Sequence, residues 1–259
     1  MIRDLHTVIA YLKWLPKTFH LHGIHSPFIF NLEKKVLRGI SKDSIKSELL
    51  SYQKSLLNNN KTITVRDYGY GSRVFNSEKR AVRRIVKVAG ATQKRRLLLQ
   101  RLVHHFRPSE TLELGTSLGL ATTALAIENK SIVTSIEGCR ETAAEAQKNI
   151  RTGPYQNVTI ICDTFENGIK SLNHKTFDLI YFDGNHSKKA TLAYFQKLLP
   201  TVNKKTVWIF DDIHWSPGMT QAWEEIKGNK NVTATVDCFW FGMVFFRPEQ
   251  AKEDFYIRL

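Results

Sequence analysis

From residue 111 onward, short apolar runs alternate with longer stretches whose apolar residues recur at helical spacing. Strands are expected near 111–114, 132–136, 157–161, 177–182 and 206–211, with helices over 119–128, 139–151, 187–199 and 217–227. Such alternation predicts a parallel sheet with helical crossovers on its faces. Two further strands, about 231–237 and 240–247, are too close in sequence for a parallel crossover and should pair antiparallel at the sheet edge. The result is a seven-stranded, open α/β sheet. The carboxyl ends of its parallel strands form one rim, where sheets of this kind bind ligands.

The front of the chain reads differently. Residues 1–60 alternate apolar and basic positions in a mostly helical pattern, interrupted at Pro16 and at Gly23 to Pro27. A short extended piece, Ile63 to Asp67, leads into Tyr68-Gly-Tyr-Gly-Ser-Arg73. That stretch imitates a cofactor turn, but a basic run follows it, so it reads as a loop that folds over something. Helices are expected over 77–90 and 92–106, the second stopped by Pro108. The chain is therefore divided into a basic, mostly helical extension and lid, 1–106, and a second domain, 107–259.

At 259 residues the chain can bury one large core with a modest extra segment, and 42% apolar with 24% charged residues describes a soluble globular protein. No run of eighteen apolar residues predicts a spanning helix, and the N-terminus lacks a signal-peptide pattern, which points to the cytoplasm. Cys139, Cys162 and Cys238 are odd in number and widely spaced, as expected of buried free thiols in a reducing compartment. The net charge of +14 is uneven: residues 1–110 carry 22 Lys/Arg against 7 Asp/Glu, and residues 111–259 carry 16 against 17. Lys79-Arg80, Arg83-Arg84, Lys87 and Lys94-Arg95-Arg96 read as a solvated helical face, or as a surface for RNA, an anionic lipid or a charged small molecule. No zinc-finger spacing, RNA-binding strand motif or repeat supports the RNA reading.

Chemistry concentrates on the rim. The first strand carries Glu113 and breaks into Gly115-Thr-Ser-Leu-Gly119. Glycines there keep side chains out of a cofactor's path, and Thr116, Ser117 and Thr122 offer hydroxyls. The spacing is GxxxG, which excludes the GxGxxG nicotinamide fingerprint, and the Lys of a phosphate-gripping loop is missing. The second strand ends at Glu137, placed to hold a ribose diol, and the third at Asp163-Thr164-Phe165, an acid, a hydroxyl and a ring suited to adenine. Asp163 can instead cap the following helix. A cofactor rich in hydroxyls and charge but without pyrophosphate fits, and S-adenosylmethionine is the candidate.

The next two strands end in Asp183-Gly-Asn-His186 and Asp211-Asp212-Ile-His214. Three carboxylates on one rim repel one another, so either Mg²⁺ or a set of hydrogen bonds should compensate them. His186 and His214 are the rim histidines and the candidate bases, although His186 can also serve as a helix cap. His104 and His105 read as structural, and the HxHxxH of His20, His22 and His25 as a turn.

The order Glu113-x-Gly115-x-x-x-Gly119, Glu137, Asp163, Asp183 resembles the class I S-adenosylmethionine-dependent methyltransferases. Asp183 with Asp211-Asp212 is similar to the metal-dependent O-methyltransferases of the catechol and caffeoyl-CoA type. The front, with His25-Ser-Pro-Phe28 and Gly69-Tyr-Gly-Ser-Arg73, resembles a narrower bacterial group, as does Asp211-Asp-Ile-His-Trp-Ser216. The resemblance implies a Rossmann-like sheet with Gly115, Thr116, Ser117 and Gly119 around the methionine portion, Glu137 on the ribose, and Asp163 with Thr164 or Phe165 at the adenine. It implies Asp183, Asp211 and Asp212 on Mg²⁺, although catechol-type members have Asn at the Asp212 position. Their catalytic lysine falls at His186 here, with Lys188 and His214 as alternatives.

The expected activity is methyl transfer to a hydroxyl of a small molecule. Phe239, Trp240 and Trp215 are read as an apolar wall over the acceptor or as ordinary sheet-edge packing. An RNA methyltransferase docking through the basic front and a non-catalytic cofactor-binding domain are the rivals, and a homodimer is expected.

Overall fold

The computed structural model describes residues 2–18, 23–66, 68, 77–127, 131–173 and 175–259. Its backbone groups the chain into two units, one joining 1–38 to 174–259 and the other running from Gly39 to Asn173. The chain opens with α1 (Ile2–Trp14), closed by a single 3-10 turn at Pro16. Next comes α2 (Pro27–Leu32), and Pro27 starts this helix because a first-turn residue needs no amide proton. Ser26 caps it by accepting the Ile29 amide at 3.3 Å.

The Gly39–Asn173 unit holds α3 (Asp43–Leu57), β1 (Thr62–Thr64), β2 (Lys79–Ala81), α4 (Val82–Ala89), α5 (Gln93–Phe106), β3 (Glu110–Leu114), α6 (Leu120–Ala126), β4 (Ile132–Glu137), α7 (Arg140–Arg151), β5 (Val158–Cys162) and α8 (Phe165–Ser171). Ile45, Leu49, Tyr52 and Leu56 form the buried stripe of α3, at the spacing that puts one face inward. Strands β3, β4 and β5 pair in parallel, with Leu112 opposite Thr134 and Ile136 opposite Ile161. The expected helix over 77–90 is shorter than its pattern: its first residues form β2, which pairs antiparallel with β1. Arg96, counted in the basic surface run, is buried, where its guanidinium donates to the Leu49 carbonyl at 2.7 Å and to Gln53 Oε1 at 2.5 Å. It does not belong to a charged surface. Cys139 is buried as expected, but Cys162 at the end of β5 is exposed.

The other unit continues with β6 (Leu179–Phe182), α9 (Lys188–Leu198), β7 (Val207–Asp211), α10 (Pro217–Gly228), β8 (Ala234–Asp237), β9 (Phe241–Phe245) and β10 (Glu253–Tyr256). Strands β6 and β7 are parallel, and β9 runs antiparallel to both β7 and β8. Every residue of β6 and β7 is buried, which is why both read as unbroken apolar runs. Phe182 and Phe210 stack at 4.2 Å, and Trp208, Phe195 and Trp223 pack around them. Each such ring contributes roughly 1.5–3 kcal/mol by leaving water.

The antiparallel pair β8/β9 is present, but β8 is not the edge: β10 pairs parallel to it, with Phe255 opposite Val236. The segment Glu253-Asp-Phe-Tyr offers only one fully buried side chain, Phe255, so its sequence carried little strand signal. Among the described residues no helix is long and apolar enough to cross a membrane.

Candidate active site

The turn after β3 is built by backbone geometry that few residues adopt. Gly115 (φ 113°), Ser117 (φ 47°) and Gly119 (φ 80°) are all left-handed. A Cβ on Gly119 would stand 2.7 Å from the Tyr52 hydroxyl, which donates to the Leu118 carbonyl at 2.9 Å. Glycine is therefore required there twice over, by φ and by the approach of α3. The turn is tied to β4 through Thr116 Oγ1 and Ser135 Oγ, 2.5 Å apart, and through the Gly115 amide donating to the Ile136 carbonyl at 3.0 Å.

Glu137 closes this loop. Its Oε2 accepts the Ser117 amide and its Oε1 the Cys139 amide, each at 2.9 Å. The two amides hold the carboxylate still at the end of β4. Beside it the ring of Tyr68 covers Gly138, whose Cβ would come within 2.8 Å of that ring. The segment before Tyr68 is pinned to the same turn: the Thr64 amide donates to Glu141 Oε2 at 2.6 Å, and the Arg66 amide to Cys139 Sγ at 3.4 Å. The rest of the 68–73 loop lies outside the described residues, as do His20 and His22 of the HxHxxH cluster.

Glu113 is completely buried. Its Oε2 accepts from Thr122 and Ser135, each at 2.5 Å, while Oε1 is buried without a hydrogen-bond partner. Burial, partly offset by the two hydroxyls, pushes its carboxyl up to about 7. Asp163 Oδ1 accepts the Thr164 amide at 2.7 Å and the Asn167 side chain at 3.1 Å, while Thr164 Oγ1 caps α8 through the Asn167 amide. Both residues are thus engaged at the start of the helix, with Phe165 half-buried as its first residue.

In the other unit the register aligns Phe182 with Phe210, so Asp183 and Asp211 follow side by side on neighbouring strands. Tyr181, two residues before Asp183, shares its face. The Tyr181 hydroxyl lies 2.9 Å from Asp211 Oδ2 and 3.2 Å from Asp183 Oδ2. Asp211 Oδ1 accepts the Asp212 amide at 2.9 Å. Asp212 turns left-handed (φ 54°), its amide also facing the Trp240 carbonyl at 2.8 Å. Among the described residues no group of three or more His, Cys, Asp or Glu side chains is found that could hold a metal ion.

His186 Nε2 stands 3.7 Å from Asp183 Oδ1, and its ring lies 5.8 Å from that of Trp215. It is not the helix cap, because Ser187 caps α9 through the Ala190 amide at 3.4 Å. Lys188 is held by Glu225 at 2.6 Å and Gln221 at 3.2 Å. His214 is buried with both ring nitrogens engaged, Nε2 3.0 Å from Asp237 Oδ2 and Nδ1 3.2 Å from Thr220 Oγ1, and it stacks on Phe239. Asp237 also accepts the Trp223 indole N–H at 2.9 Å and the Phe239 amide at 2.8 Å. Phe239 packs against Tyr11 and Trp14 of α1, while Trp240 stays exposed. Tyr181, Tyr52 and Asp237 were not among the residues expected from the sequence. For Tyr181 a signal existed in the two-residue period that places it on the face of Asp183.

Residues 112–213 match the family model described as a methyltransferase domain. Solved structures share the architecture. The SAH complex of an O-methyltransferase from Bacillus cereus is 17% identical, covering 87% of this chain and all of that one, with a TM-score of 0.55. TomG from Streptomyces achromogenes, an O-methyltransferase involved in tomaymycin synthesis and solved with SAM, is 14% identical over 89% of this chain and all of its own, with a TM-score of 0.57. SAH-bound PaMTH1 from Podospora anserina is 11% identical over 86% of this chain and 97% of its own, with a TM-score of 0.59. No curated protein matches the chain by sequence. The fold is the Rossmann-like methyltransferase fold, with a mostly parallel sheet and antiparallel strands at one end. The methyltransferase-domain match covers the segment from the end of β3 to just past β7, and the likeness to the solved structures is one of fold.

Proposed function

We infer that the protein transfers a methyl group from S-adenosylmethionine to a hydroxyl oxygen of a small molecule, with residues 107–259 as the methyltransferase domain and 1–106 as its extension. Glu137 carries this reading: two amides hold its carboxylate in place at the end of β4, the position from which an acid can hold a ribose diol. The left-handed turn at Gly115, Ser117 and Gly119, with Thr116, would hold the methionine portion, near the buried, unpaired Oε1 of Glu113. Asp163, Thr164 and Phe165 are assigned to the adenine. S-adenosylmethionine supplies an electrophilic methyl group on a sulfonium sulfur. His186, whose Nε2 stands 3.7 Å from Asp183 Oδ1, takes the proton of the acceptor hydroxyl. That the Bacillus cereus and Streptomyces achromogenes neighbours are O-methyltransferases supports oxygen as the acceptor atom. The catechol-type resemblance would place Mg²⁺ on Asp183, Asp211 and Asp212, where it would polarise the acceptor oxygen.

Titration calorimetry with S-adenosylhomocysteine and with NAD tests the cofactor. One-to-one binding of the first and none of the second is expected, and failure to bind S-adenosylhomocysteine overturns the reading. His186→Ala should lower turnover on a hydroxyl acceptor roughly 10²-fold, the scale of a lost general base, with S-adenosylhomocysteine affinity unchanged. Full turnover in that variant removes His186 as the base.

A further inference from the structure

The stretch from β1 to Tyr68 runs across the turn that follows β4 and is tied down on two sides. The Val65 amide donates to the Glu78 carbonyl at 2.7 Å, the Thr64 amide to Glu141 Oε2 at 2.6 Å, and the Arg66 amide to Cys139 Sγ at 3.4 Å. These bonds deliver the ring of Tyr68 onto Gly138, where an added Cβ would stand 2.8 Å from its Cδ2 and 3.3 Å from its Cε2. The backbone of Gly138 is not left-handed, so the approach of the ring, not φ, is what calls for glycine there. Yet Tyr68 remains 51% exposed. A ring fixed by its backbone and left half open presents apolar surface that a ligand can take out of water.

The place it covers is specific. Glu137 and Cys162 are register partners at the ends of β4 and β5, and the Asp163 amide donates to the Glu137 carbonyl at 3.1 Å. Gly138 and Asp163 therefore follow side by side, beyond the strand ends assigned above to ribose and adenine. We propose that Tyr68 is a cofactor-binding residue whose ring stacks on the adenine of S-adenosylmethionine, with Gly138 as the seat that admits the ring. The inference rests on the cofactor reading above and extends it to a residue of the N-terminal part. Stacking uses the π face of the base and leaves its polar edge to Asp163 and the ribose diol to Glu137.

The test is calorimetry of the purified full chain with S-adenosylhomocysteine, alone and in competition with adenosine. Tyr68→Ala should weaken both ligands by the same factor, about 5-fold or more, the scale of a lost base stack, whereas Tyr68→Phe should stay within about 2-fold of the native chain. Gly138→Ala should weaken S-adenosylhomocysteine in the native background and add nothing in the Tyr68→Ala background, because the two substitutions disturb one contact. Native binding of S-adenosylhomocysteine with Tyr68→Ala unchanged overturns the proposal alone. A Tyr68→Ala loss confined to S-adenosylhomocysteine, or a native chain on which adenosine does not compete, overturns the assignment to adenine. A Gly138→Ala loss that persists without the ring overturns the role of the seat. A native chain that binds no S-adenosylhomocysteine overturns the cofactor reading, and this inference with it.

Discussion

Glu113 sits at the first strand end with no exposed surface, and this gives the protein a pH dependence that can be measured without a substrate. Its carboxyl is raised from an ordinary 4.5 to about 7, chiefly by burial, with the Ser135 and Thr122 hydroxyls opposing the shift. Between these values the unfolded chain has lost the proton and the native chain still holds it. The contribution of Glu113 to stability is therefore highest below about 4.5 and falls as pH rises, until the native carboxyl ionises near 7. At 1.36 kcal/mol per unit the fall is about 3 kcal/mol in all, of which roughly 2–3 kcal/mol lies between pH 5 and pH 8. Glu113→Gln has nearly the same shape and keeps an oxygen for the two hydroxyls, but it cannot ionise. Urea unfolding of both proteins at pH 5 and pH 8 cancels every other titrating group. The native chain should lose roughly 2–3 kcal/mol more than the variant over that interval. Identical pH dependence in the two proteins would refute the assignment of a neutral, burial-shifted carboxyl to Glu113.

Asp237 accepts from three buried donors, the His214 ring, the Trp223 indole and the Phe239 amide. Asp237→Ala leaves all three unpaired and should cost about 3–5 kcal/mol in urea unfolding, at 1–3 kcal/mol per orphaned group, whereas a loss below 1 kcal/mol would show that the network contributes little. Gly119→Ala combines a left-handed φ with a Cβ 2.7 Å from the Tyr52 hydroxyl. It should lower the melting temperature by an amount matching at least about 1–2 kcal/mol, and Tyr52→Phe in that background should restore part of it; no restoration would place the cost in φ alone.

The sequence by itself determined the alternation of elements, and with it the fold class. The runs leading to Asp183 and Asp211 are apolar because β6 and β7 are buried along their whole length, and the acids stand where these strands end. The loop from Cys238 to Trp240 announced an antiparallel pair because nothing so short can cross a sheet. Strand β10 escaped notice because pairing along one side of β8 needs backbone amides more than apolar side chains, and only Phe255 is fully buried.

Partner choice among polar groups was left to the tertiary structure. The sequence lists three aspartates, and only the fold sets the Tyr181 hydroxyl beside Asp183 and Asp211 and turns the backbone left-handed at Asp212. His186 and His214 look equivalent as residues after strand ends. Only the fold pairs His214 with buried Asp237 and Thr220 and sets His186 beside Asp183. Hydrophobic periodicity is a local property that a sequence displays directly. Hydrogen-bond partners are set by which strands become neighbours and in what register, and a carboxylate's chemistry depends on those partners.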